Sequence, residues 1–341
     1  MKKILFDINH PCDINFFKNS LKKLKNKDNS KIFITALVRN PIPRIIEEEL
    51  ADFNVKYIGR HRHTLFSIIF EANILKFFKL LYYVFKIQPD LGVSFGSFVL
   101  GGSLKFIGKK NIQFYDDPEN KKNLFFQRLT ATHLYYPFFF NSNKISKFIA
   151  LKEWAHLSPK YYTPNNERLS FYGLIPNNYL FIREVSSNTT NYTGQPNNLI
   201  ASISEKINNN YKVIMSLENK NDRKKYPASW LVINEPEKHI HSLMYYSKIV
   251  ISSGDSMARE GAILGVPSIY CGIRNMKAND VMIKKGMLFH KKIDEIPNFI
   301  NFIINNKLNI MDQDKFREKL AQEWADVNEF ILARIKDVLN E

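Results

Sequence analysis

The sequence has few cysteines and no long apolar runs, and each shortage excludes a class of protein. Only two cysteines, Cys12 and Cys271, occur in 341 residues, which is too few for a disulfide framework or a cysteine-rich metal cluster. No run of about 18 apolar residues is present, so we expect no membrane-spanning helix. The first residues pass directly into a strand pattern without the apolar length of a signal peptide. We therefore expect a cytoplasmic protein.

Acidic residues are outnumbered by basic ones, 33 against 49, which gives a formal net charge of +16 at pH 7. A basic excess of this size favours acidic partners, namely a phosphorylated substrate, an anionic membrane face or a nucleic acid. The lysines are spread along the chain, and the sequence shows neither an arginine-rich recognition helix nor the ligand spacing of a zinc site. Nucleic acid is therefore the partner that the sequence favours least.

Strand-like and helix-like segments alternate along a chain that is 45% apolar, which is typical of parallel sheets covered by helices. Breaks at Gly173 and Pro176 divide the series into two parts of ordinary domain size. We predict an α/β fold with two doubly wound, Rossmann-like domains that face each other across a cleft. The first domain is predicted to span 1–175 and the second 176–313, with a helix over 314–341 that returns to the first domain.

Local patterns predict individual elements. The very apolar and aromatic segment 65–87 predicts one long helix, and 314–339 predicts another. Residues 169–172 are expected to form the last strand of the first domain. Ligands of open parallel sheets bind at the carboxyl ends of the strands. The loops that follow the predicted strands are 9–13, 96–98, 116–120, 183–194, 252–256 and 272–280.

The segment 249–272, IVISSGDSMAREGAILGVPSIYCG, is the most informative stretch of the chain. It indicates an apolar strand, a turn on small residues, a helix that begins near Asp255, and a second strand. The first amides of a helix have no partner within it and its dipole favours negative charge, so such a turn suits an anion. Gly254 lets a diphosphate approach the backbone, and Glu260, one turn inside the helix, suits the two hydroxyls of a ribose. The same pattern is also typical of an ordinary strand–turn–helix unit.

The longer pattern HSLMYYSKIVISSGDSMAREGAILGVPSIYCG, 241–272, resembles the nucleotide-binding half of GT-B glycosyltransferases. It is most similar to the peptidoglycan N-acetylglucosaminyltransferase and to the non-hydrolysing UDP-N-acetylglucosamine 2-epimerases. With KILFDINHPCDINFFKN, SFGS and FYDDPEN, the chain also resembles a prokaryotic family known only as a domain of unknown function. The resemblance covers nearly the whole chain and implies a GT-B fold. That fold hosts transferases, epimerases and phosphorylases, so it does not by itself fix the reaction.

For the second domain, the resemblance implies a nucleotide-sugar donor, with a UDP-sugar favoured, CMP- and GDP-linked donors left open, and no cofactor. Glu260 stands where the peptidoglycan transferase keeps its ribose-binding glutamate, and the backbone from Gly254 onward matches its diphosphate-binding helix start. The donor-side candidates are Arg183, Ser253, Gly254, Asp255, Ser256, Met257, Arg259, Glu260, Asn279 and Asp280.

Within this set, Arg183 and Arg259 are the candidate cations for phosphate, because a guanidinium can bind two oxygens at once. For Arg259 the alternative is a side chain that points to solvent from its helix. Asn279 and Asp280 lie where such enzymes contact the hydroxyls of the donor sugar. The resemblance further implies that a helix N-terminus and a cation, rather than a metal ion, stabilise the leaving diphosphate.

For the first domain, the resemblance implies catalytic candidates in the loop after the first strand. His10 and Asp13 match that loop, and Asp13 stands where the family commonly has a second histidine, which moves the expected base toward a carboxylate. Asp116, Asp117 and Glu119 follow the family's acidic motif, although Asn120 replaces its usual histidine. The alternatives are that His10 or Asp13 caps the next helix and that the acidic residues form a plain turn.

Ser94, Gly96 and Ser97 line the acceptor side of the same predicted rim. The segment 65–87 adds aromatic residues and lysines, and a basic amphipathic helix of this kind can lie on an anionic membrane; the alternative is a helix buried against the sheet. We therefore expect a glycan or lipid-linked acceptor and peripheral contact with the inner face of the cell membrane.

These observations favour a glycosyltransferase of cell-surface polysaccharide or glycolipid assembly. A sugar-nucleotide 2-epimerase or hydrolase with the same donor pocket is the first alternative. A non-catalytic basic binding protein built on a GT-B scaffold is the second.

Overall fold

The computed structural model describes residues 1–26, 30–61, 67–140, 146–186, 192, 194–207, 210–234, 236–305, 308 and 311–341. The chain forms two compact units. The first unit comprises Met1–His156 together with Trp324–Glu341, and the second unit comprises Leu157–Glu323.

The elements alternate as the sequence pattern indicates. In the first part of the chain they are β1 (Lys2–Ile8), α1 (Pro11–Lys25), β2 (Ser30–Val38), α2 (Ile42–Glu49), β3 (Val55–Arg60), a π-helix (Ser67–Ile74), α3 (Leu75–Ile87), β4 (Leu91–Phe95), α4 (Phe98–Phe106), β5 (Lys110–Phe114), α5 (Lys121–Thr130), β6 (His133–Pro137), β7 (Ser146–Phe148) and α6 (Trp154–Leu157). They continue with α7 (Glu167–Phe171), β8 (Tyr179–Glu184), β9 (Lys212–Leu217), β10 (Leu231–Val232), α8 (Ile240–Tyr245), β11 (Ile249–Ser252), α9 (Asp255–Ile263), β12 (Ser268–Tyr270), α10 (Lys277–Lys284), β13 (Leu288–His290), α11 (Ile296–Ile304), α12 (Gln313–Glu323) and α13 (Val327–Asn340). Among the described residues, Ile200–Lys206, Lys220–Lys225 and Ile293–Glu295 form 3-10 helices.

The first unit is built on a sheet whose described strands run parallel in the order β3-β2-β1-β4-β5-β6-β7. Helix α1 buries Phe16 and Phe17, whose rings pack on Phe114 of β5 with centroids 5.3 and 6.1 Å away. Helices α3 and α4 pack Leu80 and Leu104 into a second apolar cluster with strands β1 and β3. The strand order reverses between β1 and β4.

The second unit repeats this architecture with described strands in the parallel order β10-β9-β8-β11-β12-β13. Its core combines apolar residues of β8, β9 and β11 with α11 and the 3-10 helix Ile200–Lys206. Here the order reverses between β8 and β11. The predicted α/β class with two parallel sheets is confirmed.

The limits of the units differ from the predicted limits at 175 and 313. Residues 157–175 belong to the second unit, because Tyr162 shares a 2.8 Å hydrogen bond with the Ser242 hydroxyl and the Asn165 amide donates to the same oxygen at 3.0 Å. The chain returns to the first unit at Trp324. None of the described helices combines the length and the apolar character needed to cross a bilayer.

Three of the predicted elements are wrong in form. Residues 169–172 were expected as a strand but lie mostly in α7, because a four-residue apolar pattern does not distinguish strand from helix. Residues 65–87 form a π-helix followed by α3, and residues 65 and 66 lie outside the described part of the chain. Residues 314–339 form two helices, since Asp326 caps α13 by accepting from the amides of Asn328 and Glu329.

Two of the predicted loops do not coincide with loops that the structure describes in full. The loop 272–280 ends early, because α10 begins at Lys277 and includes both Asn279 and Asp280. The loop 183–194 lies in part outside the described residues, which include Tyr192 but omit 187–191 and 193.

Candidate functional site

Each unit has one point where the strand order reverses, and open α/β sheets bind ligands beside the carboxyl ends of the strands at such points. In the second unit this point lies between β8, which carries Arg183, and β11, which leads into the turn at Ser253. In the first unit it lies between β1, followed by His10, and β4, followed by Ser97. The two reversals therefore bring many of the predicted site residues to the edge of each sheet where the strands end.

The turn between β11 and α9 is fixed by hydrogen bonds from its own serines. The Ser252 hydroxyl accepts from the Gly254 amide at 3.0 Å and donates to the Gly254 carbonyl at 2.6 Å. The Ser253 hydroxyl accepts from the Val185 amide at 2.9 Å, which joins this turn to the end of β8. The direction in which α9 starts is thus set by buried side chains of the turn.

Gly254 is the N-cap residue of α9 and has no room for a side chain. A Cβ atom there would lie 2.6 Å from Val185 Cγ1 and 3.3 Å from the Tyr192 hydroxyl. Glycine at this position therefore lets α9 start directly against Val185 and Tyr192, and the first amides of the helix have no partners within it. The anion site that the sequence predicts at this helix start stays a prediction.

The start of α9 also carries an ion pair that sequence reasoning missed. The buried Asp255 carboxylate accepts from Arg274 Nη1 at 2.8 Å and from the Tyr192 hydroxyl at 3.3 Å. Ser256 and Met257, the next two residues of α9, are half-buried. Arg274 follows β12 and was not singled out, because nothing near it in sequence marks Asp255 as its partner. Its guanidinium lies beside the helix start, where the Asp255 carboxylate balances its charge.

Arg259 is buried inside the second unit, so the alternative that it points to solvent is wrong. Its side chain is 1% exposed, and its guanidinium donates to Asn279 Oδ1 at 2.8 Å and to the Ser256 hydroxyl at 3.3 Å. Asn279 is also buried, and its Nδ2 has no hydrogen-bond partner among the described residues. Asp280 is exposed on the other side of α10 and does not join this group.

Glu260 lies one turn further along α9 and is paired with a histidine of α8. His241 Nε2 is 3.4 Å from Glu260 Oε2, and both side chains are largely buried. When His241 is protonated, this contact is an ion pair that holds the carboxylate in one orientation. His241 lies in the motif that carries the resemblance, but its contact with Glu260 joins two helices and has no sequence signal.

Arg183, the other predicted cation, lies at the end of β8. Its Nη1 donates to the Ser216 hydroxyl at 2.5 Å, and its Nη2 is 3.4 Å from Glu218 Oε2. The side chain is thus directed toward the end of β9 by two polar partners.

In the first unit, the centre of the candidate site is a buried carboxylate that the sequence analysis did not select. Asp7 of β1 accepts from Lys76 at 2.8 Å, from Ser97 at 2.6 Å and from Thr35 at 2.8 Å. Burial alone would raise the pKa of Asp7, but the charge of Lys76 and the hydrogen bonds from these side chains outweigh it and hold the pKa below its ordinary value. Lys76 also donates to Asn9, so the network reaches the loop after β1.

His10 and Asp13 together form a capping box at the start of α1, as the structural alternative allowed. His10 is the N-cap residue, and its Nδ1 accepts from the Cys12 amide at 3.3 Å. Asp13 is the third residue of the helix rather than its N-cap, and it accepts from the amides of Asn9 at 2.8 Å and His10 at 3.0 Å. Burial raises the pKa of Asp13 to about 7 against these hydrogen bonds. Asp13 can therefore gain or lose a proton near neutral pH.

The acidic residues after β5 are separated by burial. Asp116 and Asp117 are buried, whereas Glu119 is exposed. Asp116 forms an ion pair with Lys152 at 2.9 Å. The positive charge of Lys152 also opposes the rise in the pKa of Asp13. Asp13, Asp116 and Lys152 therefore influence one another electrostatically. Lys152 is a further site residue that the sequence analysis missed.

The acceptor-side candidates have mainly structural contacts. Ser97 is the N-cap of α4, where its hydroxyl accepts from the Leu100 amide at 3.3 Å while donating to Asp7. Gly96 has a φ of +72°, a left-handed conformation that favours glycine. Ser94 is buried, and its hydroxyl has no hydrogen-bond partner in the part of the chain that the structure describes. These residues fix the end of β4 beside Asp7.

Known structures share this two-sheet architecture over the whole chain. The S. aureus MnaA–UDP structure has a TM-score of 0.73 at 12% identity, covering 100% of this chain and 97% of that chain. A putative UDP-N-acetylglucosamine 2-epimerase of Listeria monocytogenes gives 0.71 at 14% identity, covering 98% and 96%. The spinosyn forosaminyltransferase SpnP gives 0.68 at 10% identity, covering 100% of both chains. The chain thus has a GT-B-like fold, which glycosyltransferases and 2-epimerases share.

Sequence comparison gives a relative and a family. The uncharacterised protein MJ0665 of Methanocaldococcus jannaschii is 22% identical over 328 residues, which is 91% of this chain and 94% of the relative. The model of the family described as "Protein of unknown function (DUF354)" matches residues 135–340, more than half of the chain. With its GT-B-like fold, the chain belongs to the DUF354 family.

Proposed function

We propose that the protein is a glycosyltransferase that binds a nucleotide sugar at the start of α9 and passes the sugar to a glycan or lipid-linked acceptor. The observation that carries the proposal is the arrangement at the strand reversal of the second unit. There the start of α9 faces the ligand-binding edge of the sheet, Arg274 lies beside it, and Glu260 follows one turn later. The acceptor side is assigned to the first unit.

The start of α9 suits a diphosphate because the helix dipole and the first amides favour an anion there. Arg274 lies beside these amides, and Asp255 balances its charge. Asp255 holds Nη1 of Arg274 at 2.8 Å and so fixes the orientation of the guanidinium. A guanidinium has five N–H donors and can serve a carboxylate and a phosphate together. Ser256 and Met257 supply the amides, while buried Arg259 positions the Ser256 hydroxyl.

Glu260 is the proposed ribose ligand. A carboxylate accepts hydrogen bonds from two neighbouring hydroxyls, and Glu260 lies one turn beyond the proposed diphosphate position. His241, 3.4 Å away, orients this carboxylate from α8. Asn279 has a buried Nδ2 without a described partner and is the proposed contact to the donor sugar; the exposed Asp280 remains a prediction of the sequence only.

The first unit supports a transferase because it offers an acid–base group of its own. An inverting transfer needs a base that takes the proton of the acceptor hydroxyl. Asp13, with a pKa of about 7, is the proposed base, and the positive charge of Lys152 keeps this pKa from rising further. His10, Asp117 and Glu119 stay as alternative bases from the sequence analysis.

A 2-epimerase is the second candidate, and the likeness of the fold to MnaA and to the Listeria protein favours it. An epimerase needs acid–base groups around the donor sugar and no acceptor. The two functions therefore share the donor pocket. They differ in what happens to the donor when no acceptor is present.

A thermal-shift screen over UDP-, GDP-, CMP- and dTDP-sugars tests the donor pocket. A ligand that binds the folded state raises the unfolding temperature with concentration. We expect at least one nucleotide sugar to do so and Glu260→Gln to weaken its binding roughly tenfold or more, because hydrogen bonds to a charged group are lost. Glu318→Gln makes the same change at an exposed glutamate of α12 and is the matched control. This variant should bind the nucleotide sugar as the unchanged protein does. A screen in which no nucleotide sugar stabilises the protein contradicts the proposal.

Incubation with the selected donor and no acceptor separates the candidates. A transferase leaves the donor largely intact, whereas an epimerase produces the epimer and a hydrolase releases the nucleotide. If Glu260→Ala changes nothing and the protein shows only salt-sensitive binding to duplex DNA, a non-catalytic binding protein is supported instead.

A further inference from the structure

Helices α3, α4 and α5 lie side by side on one face of the first sheet. Gly102 of α4 is approached from both sides, since an added Cβ would lie 3.5 Å from Phe77 of α3 and 3.7 Å from Thr130 of α5. Phe98 of α4 also stacks on Phe126 of α5, with ring centroids 5.3 Å apart. The three helices thus form one layer with a common outer side.

The outer side of this layer is unusually apolar for a protein surface. Tyr82 of α3 and Phe106 of α4 are each 69% exposed, and Phe78 of α3 is 62% exposed. Phe125 and Leu129 continue the exposed series on α5. On α3 the opposite side is the one that packs into the core, so the exposed rings are directed away from the sheet. Large exposed apolar side chains gathered on neighbouring helices are typical of interaction sites.

The charged residues within these three helices are all basic. The sequences of α3, α4 and α5 contain no aspartate or glutamate. Their exposed basic residues are Lys79, Lys86, Lys105, Lys121, Lys122 and Arg128. Lys76 is the one basic side chain of these helices that is buried, where it pairs with Asp7. The layer therefore combines exposed aromatic rings with basic side chains on the same helices.

We propose that this surface, defined by Phe78, Tyr82, Phe106, Phe125 and Leu129 with the basic residues around them, docks on an anionic lipid bilayer. Aromatic rings favour the level of the lipid headgroups, and lysines on a polar flank are attracted to anionic lipids. A second copy of the chain fits less well, because its basic residues would meet the same basic residues. The sequence predicted membrane contact for 65–87, and the structure extends the surface to α4 and α5.

This proposal does not depend on the donor pocket, which lies in the other unit. It adds a location: a bilayer-bound first unit would meet an acceptor at the membrane surface. Loss of membrane binding and loss of nucleotide-sugar binding are measured separately, so the failure of one proposal is distinguishable from the failure of the other.

Cosedimentation of the full chain with lipid vesicles is the test. We expect binding to vesicles of phosphatidylcholine mixed with phosphatidylglycerol, weak binding to phosphatidylcholine alone, and release by added salt. Phe78→Ser with Tyr82→Ser should weaken binding by at least tenfold, because burial of each aromatic side chain is lost. Lys79→Gln with Lys86→Gln should weaken it about fivefold for each charge removed.

Matched controls come from the second unit. Phe171→Ser removes an aromatic ring that is also 69% exposed, and Lys224→Gln with Lys315→Gln removes two exposed charges. Both controls should bind vesicles like the unchanged protein. All variants alter exposed side chains, and circular dichroism checks that each is folded.

Three results would overturn the proposal. The first is equal binding of the surface variants and the unchanged protein to anionic vesicles. The second is a dimer in solution that Phe78→Ser with Tyr82→Ser dissociates. The third is a loss of duplex DNA binding in these variants with vesicle binding retained.

Discussion

Asp13 closes the capping box of α1 and, in the same buried position, has a pKa of about 7. The two properties have one cause. The carboxylate is placed where it can accept from the amides of Asn9 and His10, and that place is 1% exposed, so water cannot stabilise its charge. A capping carboxylate in water would keep an ordinary pKa. Burial thus makes a structural residue available for proton transfer.

Asp13 should make the stability of the protein depend on pH between about 4 and 7. Its folded pKa is raised above the ordinary value of 3.8, so the folded state binds this proton more tightly than the unfolded state. The contribution is complete below pH 4 and is lost as the pH rises through 7. A shift of this size corresponds to about 4 kcal/mol. We expect Asp13→Asn to remove this part of the pH dependence in chemical unfolding measured across that range.

The exposed Asp294→Asn is the control for this experiment and should leave the pH profile unchanged. If the free energy of unfolding changes with pH in the same way for Asp13→Asn and for the unchanged protein, a raised pKa of Asp13 is contradicted. If a transfer assay becomes available, kcat/KM of the unchanged protein should rise with pH to a plateau above 7, since only the ionised carboxylate accepts a proton.

At the residue scale, the sequence predicted what local spacing determines. Gly254 and Glu260 are found at the start of α9 and one turn inside it, because strand, turn and helix follow one another without interruption. Arg274 and His241 were missed, because each pairs with a residue that lies 19 positions away in sequence. Such pairs arise only when the strands and helices pack.

At the element scale, Lys76 connects α3 to β1 through a fully buried ion pair. Lys76 and Asp7 are 1% and 0% exposed, and their charged atoms are 2.8 Å apart. Removal of one partner leaves the other charge buried without compensation, which is strongly destabilising. We expect Lys76→Met to lower the free energy of unfolding by about 3 to 5 kcal/mol in denaturant titrations.

Two further variants separate the charge effect from the loss of a side chain. Asp7→Asn combined with Lys76→Met should recover much of the loss, because no uncompensated charge remains. Lys79→Met on the exposed side of α3 should be nearly neutral. A double variant as unstable as Lys76→Met would show that the ion pair is not the cause.

Element types were predictable where the pattern was long, and breaks in helices were not. Strand β4 (Leu91–Phe95) ends directly before the loop 96–98 that the sequence predicts. The break between α12 and α13 has no glycine or proline to mark it. It depends on a 2.8 Å hydrogen bond from the Ala325 amide to the Ile149 carbonyl and on the packing of Trp324 against Trp154. Both contacts are made with residues far away in the sequence.

At the scale of the whole molecule, the alternation of strands and helices was enough to predict two parallel sheets. The limits of the units were not predictable in the same way, because the first unit is discontinuous and takes back residues 324–341. Asn328 of α13 illustrates the reason. It accepts from the Ser20 hydroxyl at 2.9 Å and donates to the Ala155 carbonyl at 2.7 Å, and these buried partners are distant in sequence.

The most direct measurement of the proposed function is a crystal structure of the protein with a bound nucleotide sugar. We expect the diphosphate at the amides of Ser256 and Met257 and beside Arg274, with both ribose hydroxyls on Glu260. A nucleotide bound elsewhere in the chain, or a helix start that keeps only the Asp255–Arg274 pair at saturating ligand, would contradict it.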